Sequence, residues 1–353
     1  METKPLLKKL CEASGVSGYE AEVRELVMAE FKPYADEVRV DKMGSVIALK
    51  RGHPSGDHRP TIMLAGHMDE IGLIVSKIEK GFLHFTSVGG FDPRVLLGQE
   101  VVVHGRRPLP GIIGSRPPHV LPPEEQEKVI EMEKLFMDVG LPEEEIGQWV
   151  QVGDLATIRR DLVELQGDRV AGKALDDRAG VATVLTCFHR LASLRHTWNV
   201  YGVATVQEEV GLKGAMTSAY GLIPDIGVAI DVTFGDMPGL PEAETLALGK
   251  GPAIAFGPNI HPRLHEKLVE VAKTQEIPYQ VEPVPGRSGT DAWAIQVTRE
   301  GIPTALIGIP LRYMHTSVET VCAKDIERAG RLLAHFIAQL DEAFLESLRV
   351  SEI

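Results

Sequence analysis

Apolar positions along this chain follow two rhythms, and the change between them divides it. Near the start, residues 5–13 have the spacing of a short helix. Ser17-Gly18-Tyr19-Glu20 has the spacing of a capping box, which predicts a second helix to about residue 31. Residues 38–40 and 45–49 alternate around the polar turn 41–44, as a hairpin does. Residues 61–65 are an apolar run without alternation, the pattern of a strand covered on both faces. It delivers His67 at its exit.

Beyond residue 71 the character changes. Short strand-like pieces at 82–85, 101–103, 111–113 and 155–158 are separated by glycines and prolines. The one helical pattern there covers 124–136, after the proline-rich stretch 117–123. Many short strands with Gly/Pro turns predict a small β-barrel, inserted at 71–162 into a domain made of 1–70 and 163–353. From residue 170 helices and strands alternate: a helix over 177–194, strands over 199–206, 226–230, 253–256, 279–284 and 304–307, and amphipathic helices over 263–274 and 325–348. That rhythm predicts an α/β fold with a mostly parallel central sheet flanked by helices.

Composition adds bounds. A chain of 353 residues with 44% hydrophobic content has enough apolar surface for a large core. A net charge of −13 speaks against nucleic acid and anionic membranes as partners. The charged start carries no apolar signal core, and no apolar run reaches membrane-spanning length, so a cytoplasmic location is the default expectation. Cys11, Cys187 and Cys322 are too few and too scattered for a disulfide framework.

Five motifs at predicted strand ends carry the candidate chemistry: His67-Met68-Asp69, Asp176-Asp177, Glu208-Glu209, Asp231 and His315. Two imidazoles with several carboxylates are the mixture that holds two hydrolytic metal ions. Sites of open α/β sheets gather where these motifs lie, at the carboxyl ends of strands. In His67-x-Asp69 the carboxylate has the spacing to orient the imidazole from behind. Asp176 and Asp177 precede a helix, so either caps it or bridges two ions, and Asp176 is favoured as the bridge. Adjacent Glu208 and Glu209 repel without compensating positive charge; one suits a ligand and its neighbour a proton carrier. Asp231 is a strand-end cap or a ligand, and His315 supplies the second imidazole. His53 and His58 lie in a polar loop, and His189, His196 and His335 in or beside helices, outside this pattern. The turn Gly286-Arg287-Ser288-Gly289-Thr290-Asp291 lacks a phosphate-binding pattern around it and is expected to wall the site; Arg287 is a candidate for an acidic substrate side chain.

Read in order, these motifs resemble the tetrahedral, glutamyl-type dinuclear metallo-aminopeptidases. The match includes Ser14 to Glu20, His67 to Glu70, Ile113 to His119, Leu175 to Arg178, Glu208 to Gly211, Gly289 to Ala292 and His315 to Ser317. The resemblance implies one metal on His67 and Asp231, another on Glu209 and His315, and Asp176 between them. Asp176 rather than Asp177 follows from the related motif, whose ligand stands four residues before the glycine, here Gly180. It also implies Glu208 as general base, Asp69 as the group orienting His67, and zinc or cobalt as the two ions. Expected substrates are short peptides with a free N-terminus, and the inserted barrel is expected to assemble dimers into a hollow dodecamer. Three other readings stand beside it. A related di-metal deacylase or carboxypeptidase would lack the barrel motifs. A glycosidase, a label sometimes given to such proteins, needs two carboxylates but no imidazole pair. A catalytically silent shell has no need of the ligand set.

Overall fold

The structure, a computed structural model, describes residues 2–53 and 59–348; His58 lies outside them. The chain opens with α1 (Thr3–Glu12), α2 (Ala21–Phe31), β1 (Glu37–Val40), β2 (Val46–Lys50) and β3 (Thr61–His67). Next come β4 (Gly72–Glu79), β5 (Phe82–Val88), β6 (Glu100–His104), β7 (Pro108–Gly114), α3 (Pro123–Gln126), β8 (Phe136–Asp138), α4 (Glu143–Ile146) and β9 (Leu155–Ile158). The chain then returns through β10 (Val163–Glu164), β11 (Arg169–Gly172), α5 (Leu175–Leu191), β12 (Asn199–Thr205), α6 (Lys213–Leu222) and β13 (Ile226–Phe234). It ends with β14 (Ala253–Phe256), α7 (Pro262–Thr274), β15 (Gln280–Pro283), α8 (Asp291–Gln296), β16 (Thr304–Arg312), β17 (Glu319–Cys322), α9 (Ala323–Ala338) and α10 (Glu342–Ser347).

The large sheet has the order β1-β2-β12-β3-β13-β16-β17-β11-β10, with β14 and β15 branching from β16. Its centre, β12-β3-β13-β16, is parallel, and both flanks are antiparallel. The unbroken apolar run of β3 has a direct cause. Ile62 and Leu64 face a core shared with α1, α2, α5, α7 and α9, while Met63 and Ala65 face a second core under α6 and α8. Strands β4 to β9 close into a separate barrel in the order β4-β5-β8-β7-β6-β9. Alternate residues point inward there, among them Leu73, Val75, Leu83, Phe85, Val101 and Val103.

Four expectations from the sequence are corrected. The helix over 124–136 reduces to α3 and a single 3₁₀ turn, Met132–Lys134, followed by β8. Glu124 and residues 126–129 are exposed, so a helix there would have no surface to cover its apolar face. The barrel instead needs a strand between β5 and β7, and Met137 supplies it by pairing with Leu83 on one side and Ile113 on the other. An open edge at that place would leave both neighbours unpaired. The helix over 325–348 breaks after α9: Asp341 accepts from Phe344 N (2.8 Å) and caps α10, which folds Phe344 edge-on against Phe336. The strand at 226–230 continues to Phe234, because β16 pairs with it through Leu311, so Asp231 lies within a strand rather than at its end. Finally, Ser17 is not a helix cap. Glu20 stands at the cap position of α2, and the Ser17 hydroxyl goes elsewhere.

Candidate active site

The parallel register brings the predicted residues together. Thr205 pairs with His67 across β12 and β3, and Ala229 pairs with Ala65 across β13 and β3. His67, Asp231 and the chain leaving β12 toward Glu208 therefore converge at one end of the sheet. Asp176 and Asp177 enter from the start of α5, where both have non-helical backbone angles. His315 comes from the turn between β16 and β17.

Asp176 is the hub. Its Oδ1 lies 3.1 Å from His67 Nε2, and its Oδ2 lies 3.3 Å from His315 Nε2. His315 Nε2 is also 3.6 Å from Glu209 Oε2, and His67 Nε2 is 3.8 Å from Glu208 Oε2. Two groups of three have ligand atoms within 4.8 Å of one another: His67, Asp176 and Glu209, and His67, Asp177 and Asp231. Asp177 was the open alternative. Its Oδ1 accepts from Gly180 N (2.9 Å) and its Oδ2 from His67 N (3.2 Å), so both oxygens already serve the backbone.

Asp69 stands behind His67. The His67 Nδ1 is 3.1 Å from the Asp69 carbonyl oxygen and 3.5 Å from its carboxylate Oδ1. The carboxylate itself accepts from Ser17 Oγ (2.6 Å), Glu208 N (3.1 Å) and Glu209 N (3.3 Å). One buried side chain thus ties the imidazole to the backbone of both glutamates.

The electrostatics describe a site short of positive charge. Burial, reinforced by neighbouring carboxylates, pushes Glu208 up to about 10 and Glu209 up to about 7. Burial also raises Asp177, Asp231 and Glu319 well above the ordinary carboxylate range. Asp176 and Asp69 go the other way: burial opposes both, but hydrogen bonds with His315 and His67 hold Asp176 low, and the contact with His67 holds Asp69 low. The Asp176 hydrogen bond raises His315 to about 9. Burial works against a charged His67, yet bonds to Asp176 and Asp69 raise it. So many buried carboxylates around two imidazoles repel one another unless cations sit among them. The donor set, oxygen and nitrogen without thiolate, fits zinc or a similar divalent ion.

A cavity of about 620 Å³ opens from this cluster. Its walls include Thr233, Phe234, Glu282, Val284 and Met314, together with Gly286 to Thr290. The glycine-rich turn is therefore a wall, as its sequence suggested.

Several supporting residues gave little sequence signal. Glu319 is buried; its Oε2 accepts from Asp176 N (3.1 Å) and its Oε1 from His315 N (2.9 Å), so it clamps both. A glutamate opening a strand has no pattern of its own. Asp291 accepts from Thr205 Oγ1 (2.5 Å). Glu70 receives Lys173 Nζ (2.7 Å) and Arg178 Nη2 (3.2 Å), all three buried. The run His67 to Glu70 and the charged residues flanking Asp176-Asp177 hint at that cluster, but no spacing relates them.

Comparison with known proteins agrees with the fold. Residues 44–332 match the M42 glutamyl aminopeptidase family. A lysyl aminopeptidase of Pyrococcus furiosus is 38% identical over 95% of this chain and 96% of its own. The solved TET aminopeptidase of a marine-sediment Thaumarchaeota archaeon superposes with TM-score 0.92 at 40% identity, covering 98% of this chain and 99% of that one. The TET1 peptidase of Pyrococcus horikoshii, which assembles into a tetrahedron or a large octahedral shell, gives TM-score 0.83 at 32% identity, over 96% of this chain and 100% of that one.

Proposed function

This chain belongs to the M42 glutamyl aminopeptidase family, and on that premise we propose that it is a two-metal aminopeptidase that trims short peptides from an unblocked N-terminus. The observation that carries the reading is Asp176, whose two oxygens face two imidazoles amid buried carboxylates. His67 and Asp231 would hold one zinc or cobalt ion, Glu209 and His315 the other, with Asp176 shared. Bound there, the ions would supply Lewis-acid polarisation of a peptide carbonyl and a water of lowered pKa.

The chain's own groups do the rest. Glu208 sits beside the cluster with a carboxyl that burial makes ready to hold a proton, so it takes one from water and returns it to the leaving amine. Asp69 keeps His67 and the Glu208 backbone in register, as the Ser17 hydroxyl keeps Asp69. The excess of carboxylates attracts a free α-ammonium and gives nothing to an acetylated end. The barrel is assigned to assembly, with a dodecamer built from dimers as the expected particle.

A timed digest of an unblocked peptide and its N-acetylated copy tests the reading, with masses followed throughout. Successive loss of N-terminal residues from the first, and survival of the second, is expected. Early internal fragments, or faster attack on the acylated copy, would assign the site to an endopeptidase or a deacylase instead.

A further inference from the structure

One charged wall of the cavity is left unused by the proposed hydrolysis. Glu282, on β15, lines the cavity and accepts a hydrogen bond from the Thr233 hydroxyl. No ion pair to it occurs among the described residues, and no cation is among the groups that act on it; burial pushes its carboxyl up. Its place relative to the metal-ligand cluster follows from the strands. Thr233 lies two residues beyond Asp231 on the same face of β13, about 6–7 Å along at the usual strand rise. Gly308 is the register partner of Asp231 on β16, and a Cβ there would stand 3.0 Å from Glu282 Oε2. The bare glycine leaves room for the carboxylate beside the cluster.

The same cavity has apolar lining, including Phe234, Val284 and Met314. Arg287, the candidate for an acidic side chain, is exposed at the rim with its guanidinium 5.3 Å from the centre of the Trp293 ring. The deep charge of the cavity is therefore negative. An α-ammonium held at the cluster leaves the first side chain running along an apolar wall toward Glu282. A lysine carries its charge on a flexible four-carbon stem, and an arginine is longer by a planar fork. Both have an apolar body to lay against that wall and a charged tip to reach the carboxylate. We infer that Glu282 selects peptides whose first residue is basic, lysine or arginine, at the site whose hydrolysis is proposed above. The inference rests on that reading for where the α-amine sits.

The test is binding and turnover by zinc- or cobalt-loaded protein, wild type and Glu282→Gln. Gln keeps the shape and can still accept from Thr233. Calorimetry with L-lysinol and L-leucinol reads binding without any chemistry. L-lysyl and L-leucyl p-nitroanilides read kcat/KM. A charge-assisted contact predicts a lysine-to-leucine ratio of about tenfold or more in wild type, in both measurements, and its collapse toward unity in Glu282→Gln. Equal binding of the two amino alcohols by wild type, or a ratio unmoved by the substitution, overturns the inference and leaves the aminopeptidase reading standing. Selective lysinol binding lost in Glu282→Gln, with no cleavage of either anilide, supports the inference and sinks that reading.

Discussion

Replacing Glu70 by glutamine should destabilise this protein far more than an ordinary surface change, and its surroundings set the size. Glu70 is 3% exposed and faces two cations, Lys173 at 6% and Arg178 at 0%. Its oxygens receive Lys173 Nζ at 2.7 and 2.9 Å, Arg178 Nη2 at 3.2 Å and Gly15 N at 2.9 Å. Glutamine retains the shape and an acceptor for Gly15 but removes the carboxylate that pairs with both buried cations. Breaking a buried pair in this way costs about 3–5 kcal/mol, because the partner charge stays behind. Burial already pushes the Lys173 ammonium down, so Lys173 relieves part of the strain by losing its proton. Arg178 has no such escape; its NH groups hold the carbonyls of Leu10, Ala13 and Met68. The lower end of the range, about 3 kcal/mol, is therefore expected. For 353 residues the unfolding entropy is about 0.7 kcal/mol/K, so Tm should fall by about 4 °C for glutamine and by up to about 7 °C for alanine. Calorimetric melting of wild type, Glu70→Gln, Lys173→Met and the double variant measures this. The double variant should melt above the value expected from adding the two single losses, since the stranded ammonium is gone. A Glu70→Gln protein melting within 1 °C of wild type, or strict additivity, would refute the argument.

Other outcomes follow from the same geometry. Glu208→Gln should retain both ions by elemental analysis and lose about 10²-fold or more in kcat, whereas Glu209→Gln should lose ion content; near-normal turnover in Glu208→Gln would reassign the proton carrier. His67→Ala and His315→Ala should each lower metal occupancy, and a chelator should abolish activity, which full activity in chelator would contradict. Ser17→Ala should leave the fold intact within about 1 kcal/mol but lower kcat more than it raises KM, because Asp69 loses a 2.6 Å hydrogen bond; a pure stability loss would make Ser17 merely structural. Light scattering should give a particle several times the 38.5 kDa chain, and a monomer at micromolar concentration would remove the assembly role given to the barrel.

What the sequence determined alone is whatever depends on local pattern. An apolar run without alternation can only be a doubly covered strand or a buried helix, and its shortness chose the strand that became β3. The period change after residue 71 marked the barrel, because alternating short strands and helical stretches cannot share one rhythm. The convergence of His67, Glu208 and Glu209 was foreseeable from their places after parallel strands, whereas Asp231 inside β13, Asp176 at the start of α5 and His315 in the turn between β16 and β17 are brought to them by the fold. Long-range partners were not. Residues 124–136 carry a helical period, yet closing a barrel by pairing Met137 with Leu83 and Ile113 outweighs local propensity. Ser17 has cap spacing, but a buried carboxylate 52 residues away takes its hydroxyl. Glu319 binds two backbone groups that no spacing relates to it. Asp176 and Asp177 are chemically identical neighbours, and only the fold turns one toward two imidazoles and the other toward the backbone of Gly180 and His67. Local pattern sets which residues can stand at a strand's end; which atoms they then face depends on register and packing between segments far apart in the chain.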